Sequence, residues 1–106
     1  MMTKLSPAGV INQVAASLVV KQRYPTVEMA IWDLALTSVR SKIVYYKKRI
    51  RKLEKKYETD FETFTVCLKD KANPSEEDDW LAWRSARSML DDWHKAYQDM
   101  IDESPR

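Results

Sequence analysis

Arg87 and His94 stand seven positions apart, which on a helix puts them two turns apart on one face. Histidine can move a proton near neutral pH and arginine can steady an anion, so this pair is the first place to look for chemistry. Asp91 and His94, at i and i+3, form half of a metal site. No second His and no nearby Cys completes it, and the carboxylate-bundle metals need a matched Glu-x-x-His pair on another helix. The chain also lacks a Gly-rich phosphate loop, a nucleophile elbow and a Cys–His signature. Neither a metal, nor a cofactor, nor an enzymatic activity is therefore the first expectation.

Charge and aromatic residues offer a second kind of chemistry, that of binding. From Arg40 to Lys56 nine Lys or Arg stand against Glu54 alone, whereas from 73 to 103 nine Asp or Glu outnumber Arg84, Arg87 and Lys95. A net charge of +2 conceals this segregation. One reading is complementarity between the two segments within the molecule, through surface pairs worth ~0–1 kcal/mol each. The other is nucleic-acid binding, with Lys47, Lys48, Arg51, Lys52 and Lys55 on phosphates and Tyr45 and Tyr46 stacked on bases. The four tryptophans, Trp32, Trp80, Trp83 and Trp93, fit core packing at helical spacing, and Trp80 beside an acidic turn also suits an interface anchor. The residues expected to meet a protein partner are Trp80, Trp83, Glu77, Asp78, Asp79, Tyr57 and Phe61.

Composition decides the class of scaffold. A chain of 106 residues makes one domain, 1–106, with a modest core. One Gly and four Pro leave few of the turn residues a β protein requires, so the expectation is all-α. The lone Cys67 allows no internal disulfide and agrees with a reducing compartment, the cytoplasm by default. The apolar run from Ala15 to Val20 is too short for an export signal, and no stretch approaches ~18 apolar residues, so membrane association is not expected.

The elements follow from periodicity. Met29, Trp32, Leu36, Val39, Ile43, Tyr46, Ile50, Leu53 and Tyr57 alternate spacings of three and four, a heptad seam on one long helix over 26–57. That helix would run about 48 Å at ~1.5 Å per residue, against a radius of gyration of ~13 Å for a compact chain of this size. It must bend, for which Thr37, Ser38 and Ser41 are the place, or share its seam. A helix over 6–23 opens with Ser6 and Pro7 and carries Val10, Ile11, Val14, Leu18 and Val19 as one stripe. Tyr24 and Pro25 interrupt, and Thr26 caps the long helix. A short helix over 60–69 follows, with Thr59 and Glu62 at capping-box spacing. The last, over 74–103, starts at Asn73-Pro74 with acids in its first turn and places Trp83, Ala86, Leu90, Trp93, Tyr97 and Met100 at heptad spacing. It is the natural antiparallel cover for the long seam.

Two resemblances bear on function. The Arg87 to His94 spacing resembles the Arg-x4-6-His motif of HEPN-type ribonucleases, which implies His94 as acid or base at an RNA 2′-hydroxyl and Arg87 on the phosphate. A wider resemblance rests on Leu18-Val19 and Tyr24-Pro25-Thr26 before Glu28-Met29-Ala30. It continues through Glu54-Lys55-Lys56-Tyr57 with Asp60-Phe61-Glu62 and Phe64, and through Glu77-Asp78-Asp79-Trp80 with Trp83, Leu90 and Trp93. Over about three-quarters of the chain this pattern resembles small helical antitoxins encoded beside ribonuclease toxins of the TumE-like type. Gln22 and Glu58 depart from it, since glycine is usual near both places. The resemblance implies a non-catalytic protein that binds and neutralises a cognate toxin, as a dimer and in contact with its own promoter.

The expectation is thus an all-α, self-associating antitoxin-like binding protein, with nucleic-acid binding by the 40–56 arm and a HEPN-like ribonuclease as alternatives. If the last helix covers the long seam, Leu90→Asp or Trp93→Asp unfolds the chain at a cost of several kcal/mol. Thermal melting checks this; an unchanged midpoint would refute the packing.

Overall fold

Each helix of the chain begins where a side chain can satisfy the free amides of its first turn. The computed structural model describes residues 6–21 and 23–103. Four helices fill that range: α1 (Pro7–Val20), α2 (Val27–Tyr57), α3 (Phe61–Leu68) and α4 (Pro74–Glu103). Expectations falling on Met1–Leu5, Gln22 and 104–106 lie outside the described residues. Ser6 Oγ accepts from the Gly9 amide at 3.1 Å and Thr26 Oγ1 from the Met29 amide at 3.1 Å. At α4 the box is reciprocal: Asn73 Oδ1 accepts from the Glu76 amide at 2.8 Å and Glu76 Oε1 from the Asn73 amide at 3.2 Å. At α3 the cap is Asp60, whose Oδ1 accepts from the Thr63 amide at 2.7 Å, and not Thr59. The Thr59 amide bonds the Glu54 carbonyl at 3.3 Å, closing α2, in place of the Glu62 side chain that the box would bring to it.

The fold is all-α, with no strand among the described residues. α2 is unbroken over 31 residues, including the Thr37–Ser41 stretch, where Ser41 Oγ donates to the Thr37 carbonyl at 3.0 Å. Its most extensive contact is with α4; α1 packs on α2, and α3 on α4. Arg40 reaches Tyr97 while Tyr57 reaches Asp79 and Trp83, so α2 and α4 run antiparallel. The radius of gyration is 19.7 Å and the extents are 60 × 38 × 19 Å, far from the ~13 Å of a compact chain this long.

Burial follows the two seams. Leu36, Val39 and Ile43 on α2 and Trp83 and Ala86 on α4 are buried, with Phe64 from α3 at the far end. Ala15 of α1 and Ala30 of α2 have no exposed surface, small residues that suit a close crossing of those two helices. The first seam position departs from expectation, for Met29 is 40% exposed. Extending the antiparallel register, the described part of α4 is spent near Leu34, and beyond it α2 has only α1 as a neighbour. Val10, Ile11 and Val14 of α1 are likewise close to half exposed, so much of the expected α1 stripe lies open.

The α2–α3 corner sets a non-glycine residue in the left-handed region: Glu58 has φ 53° and ψ 39° and its amide closes onto the Glu54 carbonyl. A Cβ there costs ~1–2 kcal/mol, against ~0.5–1 kcal/mol of extra chain entropy for glycine. Glu58→Gly should therefore stabilise the protein by about 0.5–1 kcal/mol, seen as a higher midpoint in urea or heat.

Candidate functional site

The residues nominated for partner binding converge at the tip of α2, where α3 and the start of α4 close over it. Tyr57, Phe61, Phe64, Trp80 and Trp83 form one aromatic cluster. Ring centroids lie 4.2 Å apart for Tyr57–Phe64, 5.4 Å for Phe64–Trp83, 5.6 Å for Phe61–Trp83 and 5.9 Å for Phe61–Trp80. Such offset and edge contacts contribute beyond the area they bury. Trp83 is the centre of this cluster and is 1% exposed, so it belongs to the core and presents nothing to a partner in this conformation. Trp80 is half-buried and its indole donates to Thr65 Oγ1 at 2.9 Å.

Asp79 is also committed internally. Lys56 Nζ lies 2.6 Å from its Oδ2, and the Tyr57 hydroxyl donates to the same oxygen. The hydrogen bond from Lys56, then that from Tyr57, holds the Asp79 carboxyl below its ordinary range. Burial first, then the bond to Asp79, pushes the Tyr57 hydroxyl up, and Asp79 raises Lys56. Glu77 and Asp78 stay exposed. Glu77 and Trp80 line a groove of about 260 Å³ between α3 and α4, with Thr65, Leu68, Lys69 and Ala72 as its other walls. Leu81, next in the chain after Trp80, is 54% exposed and lines a separate hollow on α4 with Arg84, Ser85, Ser88 and Met89. Of the nominated set, then, Glu77, Asp78 and one edge of Trp80 are offered outward, while Trp83, Tyr57 and Asp79 close the tip.

The expected complementarity between the basic arm and the acidic last helix is reduced to a single link. Among the described residues two ion pairs form, Lys56–Asp79 at 2.6 Å and Arg87–Glu62 at 2.7 Å. Of the nine cations from Arg40 to Lys56, Lys56 alone has a carboxylate partner. The seam explains this. With Ile43, Tyr46, Ile50 and Leu53 turned toward α4, the positions between them turn away, so most of the cations face solvent. Lys48, Arg49, Arg51, Lys52 and Lys55 line a groove of about 540 Å³ with Tyr45. Lys47 is exposed but stands outside that lining. Tyr46, proposed with Tyr45 for base stacking, is half-buried in the seam.

Arg87 has a structural occupation: its guanidinium pairs with Glu62 and lies 4.5 Å from the Phe61 ring centroid, fastening α4 to α3. His94 is exposed on the same helix. No group of three potential metal-ligating side chains occurs among the described residues, and no described helix is long and apolar enough to cross a membrane. Two contacts escaped the sequence reading. The Tyr24 hydroxyl donates to Asp33, bracing the turn before α2, and Thr65 receives the Trp80 indole. Neither spacing belongs to a helical period, so no pattern announces them. The outward turn of the arm cations, by contrast, was implicit in the seam register. No protein-family model matches the sequence, and no curated protein or solved structure matches it significantly.

The Asp79 clasp carries a pH signature. A carboxyl whose folded value is depressed stabilises above its unfolded value of ~3.9 and loses that contribution as pH falls through the folded value. Asp60, lowered by the Thr63 amide, acts in the same window. Asp79→Asn should cost about 1 kcal/mol at pH 7, after discounting for partial exposure. The gap to the parent in denaturant midpoints should narrow between about pH 5 and pH 2; a gap that stays constant would deny the clasp.

Proposed function

We propose that this chain is a non-catalytic binding protein of the antitoxin kind, which holds a cognate ribonuclease-type toxin through the α3–α4 groove. The observation that carries the reading is the meeting of Glu77 with the Trp80 indole in one open groove, with Asp78 exposed next to Glu77 in the chain. A toxin that cleaves RNA needs a cationic surface for its substrate. An anchor that joins an aromatic edge to unpaired carboxylates can occupy such a surface in place of phosphates. The likeness of Glu77-Asp78-Asp79-Trp80 to the corresponding antitoxin segment points the same way.

We propose self-association as well, through α1 rather than through the α2 seam. Inside one chain α4 already covers much of the α2 seam, which leaves less of it to share with a second copy. α1 is a better interface: Pro7–Val20 contains no charged residue and leaves Val10, Ile11 and Val14 open. A two-fold contact sets a patch against itself, which an uncharged patch tolerates and the basic arm would not.

Purification from the native host should recover a small basic protein with the chain. Glu77→Lys with Asp78→Lys, both at exposed positions, should weaken that complex at least tenfold while the chain stays folded, at a stability cost of ~0.3–1 kcal/mol for each acid lost from the start of α4. A partner lacking any ribonuclease character, or a complex indifferent to the reversed charges, would sink the proposal. Sedimentation equilibrium tests the dimer, which Val14→Lys should convert to monomer.

A further inference from the structure

We infer that the outward face of α2 from Tyr45 to Lys55 binds the phosphate walls of a double-stranded DNA groove. Five cations, Lys48, Arg49, Arg51, Lys52 and Lys55, share one groove on this face, and no carboxylate lines it. Neither of the two ion pairs among the described residues involves any of them. The side-chain partner one of them does find is aromatic: Arg49 donates to the Tyr45 hydroxyl at 3.3 Å and lies 5.6 Å from the ring centroid. Like charges three and four residues apart destabilise a helix, and the sets 48/51, 48/52, 49/52, 51/55 and 52/55 are all such pairs. The fold gains nothing from them, because the opposite side of the helix carries the packing. A polyanion turns this repulsion into attraction.

The distribution of the five around the helix selects the kind of polyanion. At ~100° per residue, Arg51 and Arg49 bound a fan of about 160°, with Lys55, Lys48 and Lys52 between them. A single strand laid along a helix is tracked by one stripe of cations and by free aromatic faces. Here Tyr45 is tied edge-on to Tyr46 at 4.9 Å and overlain by Arg49. A helix seated in a groove instead needs cations on both flanks, one for each phosphate wall. The B-form major groove, ~12 Å wide, admits a helix, whereas the A-form major groove is too deep and narrow. Membrane surfaces are disfavoured, since an interfacial helix inserts its apolar side and that side of α2 is under α4. The lining offers no Asn or Gln for adenine, and five cations on flanking phosphates make the sequence-independent electrostatic term the main source of affinity.

The test is fluorescence anisotropy of the full chain with a labelled duplex of about 20 base pairs, titrated between about 50 and 200 mM salt. Five phosphate contacts give a slope of about −4.5 in log affinity against log salt, a roughly 500-fold loss over that range. Lys48→Gln, Lys52→Gln and Lys55→Gln together should reduce the slope by about three with unchanged circular dichroism. Lys95→Gln on the outer side of α4 should leave it as it is. The inference is overturned if the triple variant keeps the parent slope, if a single strand of equal length binds as tightly, or if no duplex binds at 50 mM salt. Binding of poly-glutamate as tight as that of the duplex would also overturn it, and would assign the face to an acidic protein instead.

Discussion

A helix of 31 residues presents an apolar stripe roughly 46 Å long, and water penalises every turn of that stripe left uncovered. No globule built from a chain this short can surround it. The cover has to be another helix of similar length laid along it, and α4, with 30 residues, is the one element that qualifies. The antiparallel register, the elongated outline and the side of α2 left to solvent all follow. So does the thinness of the core, in which Trp83 and Leu36 are the largest side chains removed completely from water.

The tip of the pair shows how binding residues and structural residues compete for the same chemistry. Aromatic rings beside carboxylates suit an interface, and they equally suit the closure of a helical corner. Here the corner takes most of them. Tyr57 and Lys56 converge on Asp79, Arg87 spans Phe61 and Glu62, and Trp83 fills the middle. What is left outward is an edge, Glu77 and Trp80 above a shallow groove.

The helices and three of the four caps were legible because each depends on local spacing: Ser6, Thr26 and Asn73 sit where their side chains reach amides three residues on. Thr59 misled because its amide is taken by the end of α2 and the neighbouring Asp60 carboxylate caps α3, neither of which the spacing rule weighs. The charge segments misled for a different reason. Counting Lys and Arg along the chain ignores azimuth, and azimuth decides whether a cation meets α4 or water. Only Lys56, at the last turn of α2 where the chain folds over, comes within reach of an acid. The site was legible as a neighbourhood and not as an inventory of free side chains, since Trp83 and Asp79 look available until the packing around them is seen.

α1 rests on α2 alone among the elements it substantially contacts, and Ala15 is its one buried residue. Little apolar area therefore ties it down, while α2 and α4 hold each other along most of their length. Native proteins open in units whose cost tracks such contacts. On that criterion the first helix is expected to detach, and its amides to exchange, without separation of the long pair. Detachment of α1 would uncover Ala30 on the root of α2, so a helix that leaves much of its own apolar stripe open is also the cover over a second apolar surface.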